Sequence, residues 1–166
     1  MNGLVWVAIV TFVDQLSKFF IVRSVEQGES IEVWGRFFQI TQARNHGGAF
    51  GVFQKNEEAG NWITLVASLI SLGILVTLFS GRVHDRTLKS GLVLIAGGAI
   101  GNLIDRFHYG YVIDFLHFSY LPHFNFPVFN LADTAIVVGT GLVVLSLLKR
   151  REEPSETSSN ETTGSL

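Results

Sequence analysis

The chain has 166 residues and no cysteine, with 48% apolar against 16% charged residues, a net charge of -2 and a mean hydropathy of +0.37. That balance is too apolar for an ordinary soluble domain, and the lack of cysteine excludes disulfides and thiolate metal sites. A slightly acidic chain without a basic face also has nothing to set against nucleic-acid phosphates, so what remains is a membrane protein of single-domain size.

Residues 3–22 are the first candidate span, interrupted by Asp14 and Lys18. This segment lacks a basic leader and a small-residue cleavage site, so it reads as a permanent helix rather than a signal peptide. Residues 30–53 include "SIEVWGRFFQITQARN", strand-like runs broken at Gly35, which predict a hairpin or short sheet lying on the membrane surface. "QKNEEAGN" is expected to form one helical turn. Residues 62–80 then supply a stretch without a single charge, long enough at about 1.5 Å per residue to cross the hydrocarbon core. Residues 88–104 are a third span, short unless Leu88 and Lys89 extend it, and residues 129–148 a fourth, with Asp133 its one charge. Residues 151–166 are polar and low in complexity, and no structure is expected there. The expected fold is an α-helical polytopic membrane protein, four transmembrane helices with a small β element outside them.

Arg82, Arg86 and Lys89 crowd the loop between the second and third spans, and Lys149, Arg150 and Arg151 follow the fourth, whereas residues 105–128 hold only Arg106. The positive-inside rule then puts both termini and the 81–87 loop in the cytoplasm and the two longer connections outside.

A carboxylate in a membrane segment costs about 2.5–3.5 kcal/mol at mid-helix, so each one needs a reason. Asp14 and Lys18 stand four residues apart on one helix face, which suits a structural ion pair better than direct catalysis, since a paired aspartate is a poor proton donor. Gly97 and Gly101 form a G-x-x-x-G pair that admits another helix. Asn102, Asp105 and Arg106 follow at the end of that span, Asp105 and Arg106 pointing apart. Asp114 lies between Ile113 and Phe115, where capping or binding Arg106 is the plain structural explanation. Asn130 can cap the fourth helix, and Asp133 in its first turn suits the helix dipole. Yet Asp114 and Asp133 flank one external connection and belong at one membrane face. Brought close together, two carboxylates cannot both ionise cheaply, and the pair becomes a base and an acid able to hydrolyse a peptide without metal or covalent intermediate. The five histidines show no zinc pattern, and serine-hydrolase and nucleotide-binding motifs are absent from the sequence. Two rivals stay open: a small proton-relay membrane protein using Asp14, Asp114 and Asp133, and a helix-packing protein in which the acids only join helices.

"DQLSK" at 14–18, "NHGGAF" at 45–50, "GNLIDR" at 101–106, "VIDF" at 112–115 and "FNLAD" at 129–133 resemble, in this order, the motifs of the lipoprotein signal peptidase family (signal peptidase II). The resemblance covers roughly residues 4–148. It implies a bacterial membrane aspartic endopeptidase that removes signal peptides from prolipoproteins just before a cysteine carrying a diacylglyceryl group. It also implies one membrane-embedded peptidase domain over 1–150 with an extracytoplasmic β-cradle, no cofactor, and monomeric action in the cytoplasmic (inner) membrane. Its partners would be prolipoproteins and membrane lipids, with no nucleic acid. By position, Asp114 and Asp133 match the catalytic pair. Asn45, Gly47, Asn102, Asp105, Arg106 and Asn130 match residues that shape the site, and Asp14 and Lys18 a supporting pair in the first helix. His46 and Gly48 depart from the usual pattern, which bears on the loop rather than the chemistry.

Overall fold

The computed structural model describes residues 3–46, 57–119 and 126–152. Helix α1 (Gly3–Ser24) is followed by strands β1 (Ser30–Trp34) and β2 (Phe38–Asn45), helices α2 (Glu57–Phe79) and α3 (Arg86–Tyr109), strand β3 (Val112–Phe118) and helix α4 (Leu131–Glu152). All four helices are long and apolar enough to cross a membrane. The strands form one antiparallel sheet in the order β1-β2-β3.

The spans lie where the sequence predicts, but their ends differ for identifiable reasons. The turn expected before the second span joins it, so α2 starts at Glu57. Asp85 caps α3 by accepting the Leu88 N–H at 2.7 Å, and α3 runs past residue 104 to stop at Gly110. Gly110 takes φ 79° and returns its N–H to the Arg106 carbonyl, a left-handed stop suited to glycine. Helix α4 starts two residues late, because Phe129 is paired with Leu116 and Asn130 is the cap. Its last turn keeps Lys149, Arg150 and Arg151, basic groups that suit a helix C-terminus.

Strand β3 is the element the sequence does not announce. It pairs with β2 so that Asp114 faces Ala43 and Val112 faces Asn45. Phe129 clamps its far end: the Phe115 and Leu116 N–H groups both donate to the Phe129 carbonyl, and the Phe129 N–H donates to Leu116. Its first four residues are all buried, which erases the alternation by which a half-exposed strand is recognised.

Polarity is inverted relative to a soluble protein. Phe12, Leu69 and Val137 are 60–71% exposed, whereas Lys18, Asp14, Asp105, Asp114 and Asn130 are among the largest fully buried side chains. In lipid the apolar exterior costs nothing and the charges must find each other inside.

Glycines let α3 take the centre. A Cβ on Gly97 would sit 2.6 Å from the Val10 Cβ and one on Gly101 2.5 Å from Asp14 Oδ2, both on α1. Gly91 and Gly139 meet reciprocally, each 2.7 Å from the other's carbonyl by the same construction, and Gly98 abuts the Ala132 backbone. Helix α1 therefore runs parallel to α3, and α4 antiparallel to both. One end of the bundle gathers Arg82, Arg86, Lys89 and the 149–151 cluster. The opposite end carries the sheet together with Asp105, Asp114 and Asp133.

Gly91→Ala is expected to cost about 1–3 kcal/mol by overpacking α3 against α4. Gly141→Ala, with nothing within 4 Å, should be neutral or stabilising by up to about 1 kcal/mol. Thermal melting of both variants in one detergent checks the contrast.

Candidate active site

The site is built in two tiers from helix and strand ends. The lower tier centres on Lys18. Its ammonium has three protons, and Nζ meets Asp14 Oδ2 at 2.8 Å, Asp105 Oδ2 at 2.8 Å and Asn102 Oδ1 at 3.0 Å. The two acids are saturated in turn. Asp14 Oδ1 accepts the Ala132 N–H at 2.9 Å, Asp105 Oδ1 accepts Gln15 Nε2 at 2.8 Å, and Asp105 Oδ2 also accepts the Ile113 N–H at 3.0 Å. Lys18 thereby ties α1 to α3, Asp14 ties α1 to the first turn of α4, and Asp105 ties α3 to β3.

The upper tier rests on two amides. Asn102 Oδ1 already accepts from Lys18; its Nδ2 donates to Asp133 Oδ1 at 2.8 Å, and Oδ1 also accepts Asn130 Nδ2 at 3.1 Å. Asn130 faces both aspartates. Its Nδ2 donates to Asp114 Oδ1 at 2.7 Å, its Oδ1 accepts the Asp133 N–H at 2.8 Å, and its own N–H donates to Asp133 Oδ2 at 3.3 Å. Asn130 and Asp133 are thus a reciprocal cap on α4. Asn45, diagonally across the β2–β3 ladder, donates Nδ2 to Asp114 Oδ2 at 2.9 Å. The plain explanation of Asp133 as a helix-capping acid holds, and the same asparagine joins it to Asp114.

Asp114 is 2% exposed. Burial first, and the neighbouring Asp133 charge second, push its carboxyl up to about 7 from the ordinary value near 3.8, against the lowering influence of the Asn45 and Asn130 amides and of Lys18. Near neutrality Asp114 therefore holds a proton for part of the time, whereas Asp133, on the first turn of α4, is only partly buried. Arg106 is half-buried and feels Asp133, Asp114 and Asp105 electrostatically. Such a pair can activate a water at one carboxylate while the other polarises a carbonyl. Among the described residues, no three His, Asp or Glu side chains come together as a metal-ligand set.

Every sequence-predicted site residue in the described part converges here except Arg106, which stands beside the pair rather than hydrogen-bonded into it. Gly47 and Gly48 lie outside the described residues. Gln15 was missed by sequence reasoning; the signal available was a third polar residue beside Asp14 in an otherwise apolar helix. Asp105 and Arg106 point apart along α3, and the partner that Asp105 finds, Lys18 on α1, is not readable from either segment alone.

The class of protein is that of a polytopic membrane enzyme. A solved structure described as a bacterial membrane enzyme superimposes on it with a TM-score of 0.82 at 27% identity, covering 95% of this chain and 93% of that one. A second, described in the same words, gives a TM-score of 0.75 at 28% identity over 89% and 92%. Signal peptidase (SPase) II is the family whose model matches residues 6–149, and the chain belongs to that family. It is 38% identical over 142 residues to the lipoprotein signal peptidase of Halalkalibacterium halodurans, spanning 85% of this chain and 88% of that one. With the lipoprotein signal peptidase of Nostoc sp. it shares 40% over 151 residues, spanning 90% and 92%.

Removing the central cation should be costly. Lys18→Met strands two buried carboxylates and is expected to destabilise by about 3–5 kcal/mol. Adding Asp105→Asn should then cost far less than it does alone, because the two groups act as a unit. Melting temperatures of the two single variants and the double variant read this non-additivity directly.

Proposed function

We propose that this membrane protease removes the signal peptide of a prolipoprotein with a water activated between Asp114 and Asp133, cutting just before a cysteine that carries a diacylglyceryl group. The observation that carries the reading is Asn130, whose side chain hydrogen-bonds Asp114 and whose amide and carbonyl groups cap Asp133. Residues 1–150 act as one membrane-embedded peptidase domain, as a monomer, in the cytoplasmic membrane of a bacterium. The basic end faces the cytoplasm with both termini, and the acids lie near the outer face.

In this mechanism Asp133 is the base. It takes a proton from the water, whose oxygen attacks the scissile carbonyl carbon. Asp114 donates its proton to the carbonyl oxygen as the tetrahedral intermediate forms. The intermediate collapses by breaking the C–N bond: the proton on Asp133 passes to the leaving amine, and the hydroxyl proton returns to Asp114. Asn102 and Asn130 hold Asp133, while Asn45 and Asn130 hold Asp114, so the two acids keep their separation through the cycle. Arg106 offsets the charge accumulating between them.

The substrate sets the depth of the site. Each buried CH₂ of a diacylglyceryl chain holds the substrate in the bilayer by about 0.8 kcal/mol, so the bond must be met at the interface, where water is also available. The sheet offers an aromatic surface there. Trp34 is 74% exposed and packs edge-on to Phe37, which meets Phe118, and Phe118 stacks on Phe38. This surface grips the peptide beside the cut.

Asp114→Asn and Asp133→Asn are each expected to lower kcat on a diacylglyceryl prolipoprotein peptide by at least about 10²–10⁴-fold with an unchanged far-UV spectrum; retained turnover by either would end the two-acid reading. Wild-type kcat should fall as pH rises through about 7, where Asp114 loses its proton, and fall again in acid as the second carboxylate protonates, giving a bell-shaped profile. The sign for stability is the same. The folded chain holds the Asp114 proton more tightly than the unfolded one, so that stabilisation is complete below pH 3.8 and is lost as pH rises towards about 7. Melting of Asp114→Asn should show less of this decline. Trp34→Ala with Phe37→Ala should raise KM more than it lowers kcat.

A further inference from the structure

At the basic end of the bundle, away from the acids, a groove of about 500 Å³ runs between α1 and α3. Gly3, Trp6 and Val10 line one wall and Arg86, Lys89, Ser90, Val93 and Leu94 the other. Its composition is graded along the helix axes. The first turns hold two cations and a hydroxyl, and the deeper turns hold Val10, Val93 and Leu94. From residue 86 to residue 94 the groove descends roughly 12 Å at the helical rise of 1.5 Å per residue. Gly3 makes room for the charge: a Cβ there would lie 3.3 Å from the Lys89 Cε, so the lysine stem lies along the α1 backbone.

Among the described residues neither cation has an ion-pair partner. The buried ion pairs among the described residues join Lys18 to Asp14 and Asp105, at the other end of the bundle. The nearest acid in sequence, Asp85, caps the Leu88 N–H and is coupled to Arg150 on α4. Two positive groups over an apolar slot are the electrostatic and shape complement of a phosphate attached to an acyl chain. Trp6, 46% exposed, supplies the amphipathic ring that sits at headgroup level. Basic recesses between membrane helices on the cytoplasmic side hold anionic headgroups for the same reason.

We propose that this groove is a binding site for one anionic phospholipid, its phosphate held by Arg86 and Lys89 and the upper part of one chain laid against Val10, Val93 and Leu94. The site is separate from the protease centre and does not depend on the cleavage chemistry.

The test uses the full chain carrying Trp34→Phe and Trp62→Phe, so that Trp6 is the single indole. It is reconstituted in bilayers of phosphatidylcholine with increasing chain-brominated phosphatidylglycerol, or with chain-brominated phosphatidylcholine as the neutral reference. Trp6 quenching should show a preference for the anionic lipid of about fivefold or more, which Arg86→Gln with Lys89→Gln abolishes. Arg82→Gln with Arg151→Gln removes the same charge at the same end outside the groove and should leave the preference in place. Glycerol phosphate in solution should not compete, since it lacks the chain. Equal quenching by both lipids, equal loss in the two double variants, competition by glycerol phosphate, or a preference that appears only after residues 153–166 are removed would each overturn the proposal. Peptide cleavage in detergent by Arg86→Gln with Lys89→Gln in a chain that keeps Trp34 and Trp62 reports that the two substitutions leave it folded.

Discussion

The ammonium of Lys18 has three protons and three acceptors, and the rest of the architecture is arranged around that match. An uncompensated charge in a helix bundle surrounded by lipid costs several kcal/mol. Here one lysine engages an acid on its own helix, an acid and an amide on α3, and through Asp14 the start of α4. In most folds the core is apolar and the helices are joined by burial. In this bundle the lipid is as apolar as the side chains, so burial cannot discriminate between inside and outside. Close glycine contacts and this polar knot provide the specificity instead.

The knot also explains how Asp114 and Asp133 can be kept near each other at the end of the bundle that carries the sheet. Asp105 orients β3 through the Ile113 N–H, and β3 carries Asp114. Asp14 orients the start of α4 through the Ala132 N–H, and the next residue is Asp133. Each proposed catalytic group is therefore one residue from a backbone amide fixed by the Lys18 cluster. Asn102 completes the link, touching Lys18 on one side and Asp133 on the other. The lower tier saturates its carboxylates with an ammonium and N–H donors, whereas the upper one leaves a carboxyl poised near neutrality. Under the proposed mechanism, structural and chemical duties are divided between neighbouring pairs.

Much of this was legible in the chain. Spans declare themselves by composition, Asp14 and Lys18 by helical spacing, the hairpin by Gly35 with its φ of 51°, and the α4 cap by Asn130. The motifs in order pointed to the family. Strand β3 was not legible, because its partners are distant in sequence and its first residues are covered on both faces, leaving no period to read. The continuation of α3 through Asp105 to Tyr109 was obscured because a charged pair looks like an interface; only a partner on another helix makes that depth tolerable. For the same reason the Lys18–Asp105 contact could not be inferred from either segment alone.

The placement of the lysine has a consequence for biogenesis. As the nascent polypeptide emerges, α1 enters the bilayer long before α3 is made: Asn102 lies 84 residues beyond Lys18. During that interval Asp14 and Lys18, one helical turn apart, neutralise each other, so the apolar body of α1 can partition without net charge, and Arg23 stays in the last turn at its end. When α3 arrives with Asp105 the cation is already waiting at the right depth. The order in which the helices are synthesised thus matches the order in which their charges can be tolerated.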